Sequence, residues 1–224
     1  MRCYQVKSSW KMRAKSRLWK LKFQSRTILK RSLDVLVAGL ALCLLSPLLL
    51  LVALAIKLES KGPVFFKQQR VGVDGACFTM LKFRSMVVDA EARLKDIEHA
   101  NEMQNGVLFK MKRDPRITRI GALIRKASID ELPQLINVIK GDMSLVGPRP
   151  PLASEVAQYS RADRVRLKVL PGITCIWQVC GRSDIPFEQQ VELDLQYIES
   201  QSIWVDIMLL IKTIPAVLTA RGAY

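Results

Sequence analysis

From Val35 to Ile56 the chain runs for 22 residues without a charge, VLVAGLALCLLSPLLLLVALAI. As a straight helix this run reaches roughly 33 Å, about one hydrocarbon core. No other feature restricts the fold as strongly. Two details bear on how such a segment meets a bilayer. Ser46-Pro47 lies at its middle, where proline removes a backbone hydrogen bond and kinks a helix. Both flanks are basic, with Lys30 and Arg31 before the run and Lys57, Lys61, Lys67 and Arg70 after it. The positive-inside rule therefore draws both ends to the cytoplasmic face. A re-entrant helix-break-helix bent at Ser46 and Pro47 satisfies both observations, with the serine hydroxyl helping to satisfy backbone groups that the proline frees. A single kinked span is the alternative. A cleavable signal peptide is not expected, because the basic lead is long and no small-residue cleavage site follows the run.

Charge is spread unevenly. Of 35 basic residues, 11 fall in residues 1–31, which hold no acid; the remainder carries 24 basic against 20 acidic residues. The net charge of +15 is thus mainly an N-terminal feature, and an arm of this kind suits anionic lipid headgroups or nucleic acid. The apolar segment that follows it selects lipid, so no nucleic-acid partner is expected. The five cysteines form no CxxC pair, and a disulfide framework or zinc site is not indicated. The single histidine, His99, argues against histidine-based triads and metal clusters.

Beyond the apolar run, Val64 to Phe66 and Phe78 to Phe83 read as a hairpin around the turn at Asp74-Gly75. Residues 87–104 are rich in helix formers, and 114–126 suggest a turn and a short helix. Ser128 to Ile139 reads as a helix with Leu132, Leu135, Ile136 and Ile139 on one face. Residues 141–151, GDMSLVGPRPP, read as loop; Glu155 to Val169 as a charged surface helix; 171–182 as an extended segment between turns; and Phe187 to Glu199 as a helix. In Ser202 to Leu218 apolar residues recur at helical spacing. That fits either core or an interfacial amphipathic helix, and a chain that begins at a membrane favours the second.

Asp130-Glu131 is the principal candidate for chemistry. Its structural explanation is a capping box, with Ser128 as N-cap and Glu131 three residues on. Its chemical explanation is a carboxylate nucleophile at phosphorus, with a neighbouring acid to move a proton or help hold a metal. Several cations lie in turn-rich segments nearby in sequence: Lys82 and Arg84 in KFRSM, Arg116 in DPRIT, Arg125, Arg149 between two prolines, and Arg182 in CGR. Arginine binds phosphate bidentately. Gln178 and Trp177 are placed to meet a nucleobase or sugar, or to be core; Asp114 and Asp142 read as turn residues.

Together the segments KRSLDVLVAGLALCLLSPLLL, GPVFFKQQRVG, LKFRSM, DPRITRIGALIRKASIDELPQLINVIKGDMSLVGPRP and PGITCIWQVCGR resemble the bacterial sugar transferases, the monotopic polyprenyl-phosphate phosphoglycosyl transferases of exopolysaccharide-initiating type. The resemblance begins near residue 27 and covers nearly everything beyond the basic arm. DELPQ followed by GDMSLVGPRP is its most specific part.

The resemblance implies an α+β, mostly helical fold: a basic arm over 1–31, a re-entrant membrane helix over 32–58 and a catalytic domain over 59–224. That domain would carry a small β-hairpin and interfacial amphipathic helices around an active site on the cytosolic face. It implies Asp130 as nucleophile, Glu131 as its partner, Arg149 on substrate phosphate, Lys82 as an active-site lysine and Ser46-Pro47 as the membrane break. Mg²⁺, with Asp130 as a ligand, is the implied cofactor. The implied reaction moves a sugar-1-phosphate from UDP-glucose or UDP-galactose to undecaprenyl phosphate at the bacterial cytoplasmic membrane, releasing UMP. A non-catalytic membrane adaptor and a glycosyltransferase releasing UDP are the competing functions. Cys175 and Cys180 depart from the small or polar residues usual in the family, which touches substrate preference more than the reaction.

Overall fold

A computed structural model describes residues 10–97, 111, 114–181 and 185–219. The chain is mostly helical, with two small sheets. Helix α1 (Trp10–Glu59) is followed by strands β1 (Phe65–Val71) and β2 (Cys77–Phe83) and helices α2 (Ala90–Ile97) and α3 (Arg119–Lys126). A 3-10 turn (Ile129–Glu131) leads into α4 (Gln134–Lys140), β3 (Ser144–Val146) and α5 (Ala153–Ala157). A second 3-10 segment (Asp163–Lys168) precedes β4 (Gly172–Thr174), α6 (Ile176–Cys180), α7 (Phe187–Ser200) and α8 (Ile203–Thr219). Of the expected helix over 87–104, Ala90–Ile97 forms α2, residues 87–89 form a turn before it, and 98–104 lie outside the described residues, as does His99.

Thr27–Glu59 is long and apolar enough to cross a membrane, and little of it is buried by the protein itself. Helical backbone continues through Pro47 rather than breaking there. Proline at 47 deletes the donor that would serve the carbonyl four residues earlier. That carbonyl belongs to Cys43, and it accepts instead from the Ser46 hydroxyl at 2.8 Å. The serine expected to serve a freed group does so, one turn back along the helix.

One stripe of α1 packs on the domain at both ends. Ala38 joins a core with Met80, Leu135, Val138, Met143, Leu145, Val146, Tyr197 and Leu209. Val52 and Ile56 join a second core with Phe83 and Ile124. Between these docking points Cys43, Leu44, Ser46, Pro47 and Leu48 are exposed.

The hairpin forms as its turn residues predict. β1 and β2 pair antiparallel from Phe65↔Phe83 to Val71↔Cys77, and Asp74 and Gly75 both take positive φ in the turn. Other expectations are corrected. The segment 141–151 is not all loop: Ser144–Val146 pairs in parallel with Gly172–Thr174, Ser144 opposite Gly172. That pairing needs glycine, because a Cβ on Gly172 would stand 2.1 Å from the Gly147 nitrogen. Extended structure after Pro171 lasts only through Thr174 before α6 begins. The charged helix from Glu155 to Val169 is two pieces. Ser160 and Asp163 bond each other's backbone N–H reciprocally and turn the chain between them. Glu155 and Arg166 are buried rather than on the surface. On α4 the expected stripe is displaced, since Ile139 is exposed while Gln134, Asn137 and Val138 are buried. Asn137 Nδ2 donates to the Thr79 carbonyl and Asn137 Oδ1 accepts from Leu81 N, which ties α4 to β2.

The last basic residues of the arm serve the fold. Lys30 Nζ lies 2.5 Å from Asp206 Oδ2 on α8 and 3.8 Å from Asp34. Asp34 accepts from Ser144 Oγ at 2.8 Å and from the Leu145 N–H. The Tyr197 hydroxyl sits 2.9 Å from the Val146 carbonyl and 2.8 Å from Asp206 Oδ1, able to donate to either. Arg31 donates to the Val138 and Ile139 carbonyls at the C-terminus of α4, where a cation also suits the helix dipole. Asp34 and Asp206 are buried, so removing one member strands another charge in a low-dielectric setting. Asp206→Ala is expected to lower stability by about 3 kcal/mol, read by thermal or denaturant unfolding in detergent; a loss under about 1 kcal/mol would show the network to be incidental.

Candidate active site

The 3-10 turn carrying Asp130-Glu131 sits where α3, β2 and α4 meet. Ser128 does not cap it. Its backbone is left-handed, φ 54, and its side chain makes no capping bond, whereas an N-cap residue is extended. Glu131 does not turn back to Ser128 either. Its Oε1 meets Lys82 Nζ at 2.5 Å, from β2, 49 residues away in sequence. The capping-box explanation is therefore overturned, and a non-glycine residue in the left-handed region stands two positions before the candidate nucleophile.

Asp130 is 8% exposed. No side-chain hydrogen bond engages its carboxylate among the described residues. Burial pushes its pKa up to about 6; the Lys82 charge opposes this, the Glu131 carboxylate adds to it, and Arg125 opposes it. At neutral pH the group is largely ionised. Burial also raises the Glu131 carboxyl, but the charge and hydrogen bond of Lys82, with Arg149 and Arg70 behind them, hold it below its ordinary value. One carboxylate is thus clamped by a cation while its neighbour takes no side-chain hydrogen bond among the described residues. That is the division of labour a nucleophile and its supporting residue require.

The other expected site residues divide. Arg125 and Arg149 are partly exposed and act electrostatically on the acid pair, Arg125 on Asp130 and Arg149 on Glu131. The nearest acid to Arg149 is the buried Glu155, at 3.9 Å. The Arg149 charge also reaches Cys175 and Asp194. Gln178 on α6 is partly exposed and accepts from the Cys175 thiol at 3.1 Å. Trp177 is buried, as the core reading of it held.

Arg84 and Arg116 are engaged in the scaffold. Arg84 donates to the Ser60 and Lys61 carbonyls, fastening the end of α1 to the hairpin. Arg116 pairs with Asp114 at 2.6 Å and donates to the Ala90 carbonyl. Asp142 accepts from Asn137. Arg182 lies outside the described residues.

Sequence reasoning missed Arg70, taken only as part of a basic flank. It is buried in β1, donates to the Pro150 carbonyl at 3.0 Å, and belongs to the electrostatic surroundings of Glu131 and Arg149. Its signal was a long cation at the end of a strand whose neighbour Val71 turns inward. Arg166 and Asp194 form a buried pair that was also missed. A shallow crevice lined by Gly72, Pro148, Arg149, Arg166 and Pro171 opens beside them.

Comparison with known proteins decides the family. The family described as bacterial sugar transferase matches residues 25–220. The chain belongs to the bacterial sugar transferase family. It is 42% identical over 198 residues to the exopolysaccharide production protein ExoY of Rhizobium meliloti, covering 87% of this chain and 88% of that one. It is 42% identical over 203 residues to the UDP-glucose:undecaprenyl-phosphate glucose-1-phosphate transferase of Caulobacter vibrioides, covering 87% of this chain and 72% of that one. Against the galactosyl transferase CpsE of Streptococcus agalactiae it is 47% identical over 202 residues; the match takes in 89% of this chain but 44% of that longer protein.

Ser128→Ala is expected to change stability by less than about 0.5 kcal/mol, against about 1 kcal/mol for a lost N-cap. Ser128→Gly should be neutral or stabilising by up to about 1 kcal/mol, because glycine accepts the left-handed backbone freely. Chemical unfolding of the two variants beside the parent checks both; a cost of about 1 kcal/mol or more for alanine would restore the capping role.

Proposed function

We propose that the chain transfers a sugar-1-phosphate from a UDP-sugar, UDP-glucose or UDP-galactose, to undecaprenyl phosphate, through a covalent intermediate on Asp130. The observation carrying this reading is the pairing of an Asp130 carboxylate that takes no side-chain hydrogen bond among the described residues with a Lys82-clamped Glu131, in a family whose relatives include a UDP-glucose:undecaprenyl-phosphate glucose-1-phosphate transferase.

In the first step an Asp130 oxygen attacks the β-phosphorus of the UDP-sugar. The bond from that phosphorus to the bridging oxygen breaks, and UMP departs with the electron pair. An acyl phosphate bearing the sugar remains. In the second step a phosphate oxygen of undecaprenyl phosphate attacks the same phosphorus, the bond to Asp130 breaks, and the carboxylate is regenerated. The product is undecaprenyl-diphospho-sugar. Arg149 and Arg125 suit the phosphate oxygens. Lys82 holds Glu131 ionised and fixed, and Gln178 is available to the sugar or base.

A Mg²⁺ cofactor fits these residues to a limited extent. Among the described residues no cluster of three or more acidic, cysteine or histidine ligands exists. Magnesium characteristically takes one or two carboxylates and completes its shell with phosphate oxygens and water. Asp130, whose carboxylate takes no side-chain hydrogen bond among the described residues, would be its protein ligand. A bound ion would neutralise charge on the diphosphate of the UDP-sugar and on the departing UMP.

The reading includes the membrane. The chain would sit at the cytoplasmic face of the bacterial inner membrane, with α1 re-entrant as one helix kinked at Pro47 rather than as two helices around a break. Docking of both ends of the apolar helix on one domain, with its middle exposed, supports this. Trp204, Ile207, Met208, Ile211 and Ile214 form an exposed apolar face on α8, which supports an interfacial position for that helix. The basic arm then meets anionic headgroups.

The test is nucleotide release by the full chain in detergent or nanodiscs, with undecaprenyl phosphate, Mg²⁺ and each UDP-sugar. UMP is the expected product, and Asp130→Asn should reduce its release by a factor on the order of 10⁴. Release of UDP would mean direct glycosyl transfer. No nucleotide from any UDP-sugar would favour the adaptor, and normal turnover by Asp130→Asn would exclude the covalent route.

A further inference from the structure

β1 ends on two residues that grip one loop. Arg70 Nη1 donates to the Pro150 carbonyl at 3.0 Å, and the Val71 N–H donates to the Pro151 carbonyl at 2.9 Å. The Arg70 guanidinium is anchored from behind, its Nε and Nη2 both donating to Gln68 Oε1 at 3.0 and 2.7 Å. At 6% exposure it is built into the strand rather than offered to a ligand.

Arg149 is its opposite. About a third of its side chain is exposed (32%), and Glu155 at 3.9 Å is beyond hydrogen-bonding distance. Glu155 is itself committed, accepting from the Leu152 N–H. An arginine so loosely tied would ordinarily sample many rotamers.

The two guanidinium groups are close enough to act on each other. Burial first, then the Arg149 charge, lowers Arg70 to about 10, while Glu155 and Glu131 pull the other way. Placing a buried cation beside another costs free energy. A neutral donor would satisfy the Pro150 carbonyl without that cost, so the charge at position 70 has a use apart from the hydrogen bond.

We propose that Arg70 is a positioning residue for Arg149. Its hydrogen bond fixes the backbone one residue after Arg149, and its like charge keeps the Arg149 guanidinium from folding back against β1. Arg149 is thereby held where its charge acts on Glu131. This rests on the reading that gives Arg149 to substrate phosphate, but its central claim is about the mobility of Arg149 and is measurable without turnover.

The test uses the full chain and the variants Arg70→Lys, Arg70→Gln, Arg149→Gln and the double variant Arg70→Gln/Arg149→Gln. Modification by phenylglyoxal is followed at Arg149 by peptide mass spectrometry, with the exposed Arg161 as internal reference. Arg70→Gln should speed modification of Arg149 several-fold relative to Arg161, and Arg70→Lys, which keeps the charge but not the forked grip, should fall between. In UMP release, Arg70→Gln should lower kcat/KM by about tenfold, and the double variant should be no worse than Arg149→Gln, since residues acting as a unit are not additive. Unchanged Arg149 reactivity in Arg70→Gln, or losses that multiply in the double variant, would overturn the proposal. If Arg70→Gln does not fold, Arg70→Lys carries the same comparison. A chain that releases no UMP would refute the transferase reading, while the reactivity at Arg149 would still decide this one.

Discussion

A buried ionic joint between the apolar helix and the rest of the chain underlies the arrangement. Lys30 faces Asp206 and Asp34; Asp34 in turn holds Ser144 and Leu145, and Tyr197 completes the set against Asp206 and Val146. Four elements from distant parts of the sequence meet there: α1, β3, α7 and α8. Apolar contacts alone would let a helix slide along its own axis, since one leucine face resembles another. Charges that are buried and paired permit one register. Through β3 that register passes directly into Gly147, Pro148 and Arg149, and through the Arg31 cap it passes into α4.

The candidate site is then assembled by contacts between remote segments. Lys82 comes from the hairpin, Asp130 and Glu131 from the turn before α4, Arg149 from the loop after β3, and Arg70 from the strand that clasps that loop. The like charges gathered there oppose folding, and they are retained where a polyanionic substrate would neutralise them. Backbone geometry serves the same end. Gly147 and Gly172 let β3 and β4 approach closely behind Arg149, and Ser128 accepts a left-handed conformation just before Asp130.

Local features were legible in the sequence and non-local ones were not. The hairpin followed from Asp74-Gly75 between β-rich runs, and α8 followed from apolar periodicity. The bond from Ser46 to the carbonyl freed by Pro47 followed from helix geometry. The capping box failed because Ser128, Asp130 and Glu131 satisfy a local pattern while Glu131 is claimed by a lysine 49 residues away. Glu155 and Arg166 looked like surface charges because charge ordinarily means exposure; Arg166 finds its partner Asp194 on another element, and Glu155 accepts from the Leu152 N–H. Arg149 stood apart in the sequence because Pro148 and Pro150 flank it, whereas Arg84 and Arg116 read only as further cations beside turns. Tertiary structure shows that Arg84 and Arg116 brace the scaffold, while the Arg149 charge acts on Glu131.

The docking of α1 along two cores means that the hydrophobic helix is a structural member and not a detachable tether. Removing everything before Glu59 would open a trench over Leu135, Val138, Met143 and Leu145 at one end and over Phe83 and Ile124 at the other. It would also strip the cap from α4 and leave Asp206 without its lysine. A water-soluble version of this protein is therefore not reached by truncation; the outward leucines would have to be redesigned with the inward stripe left intact.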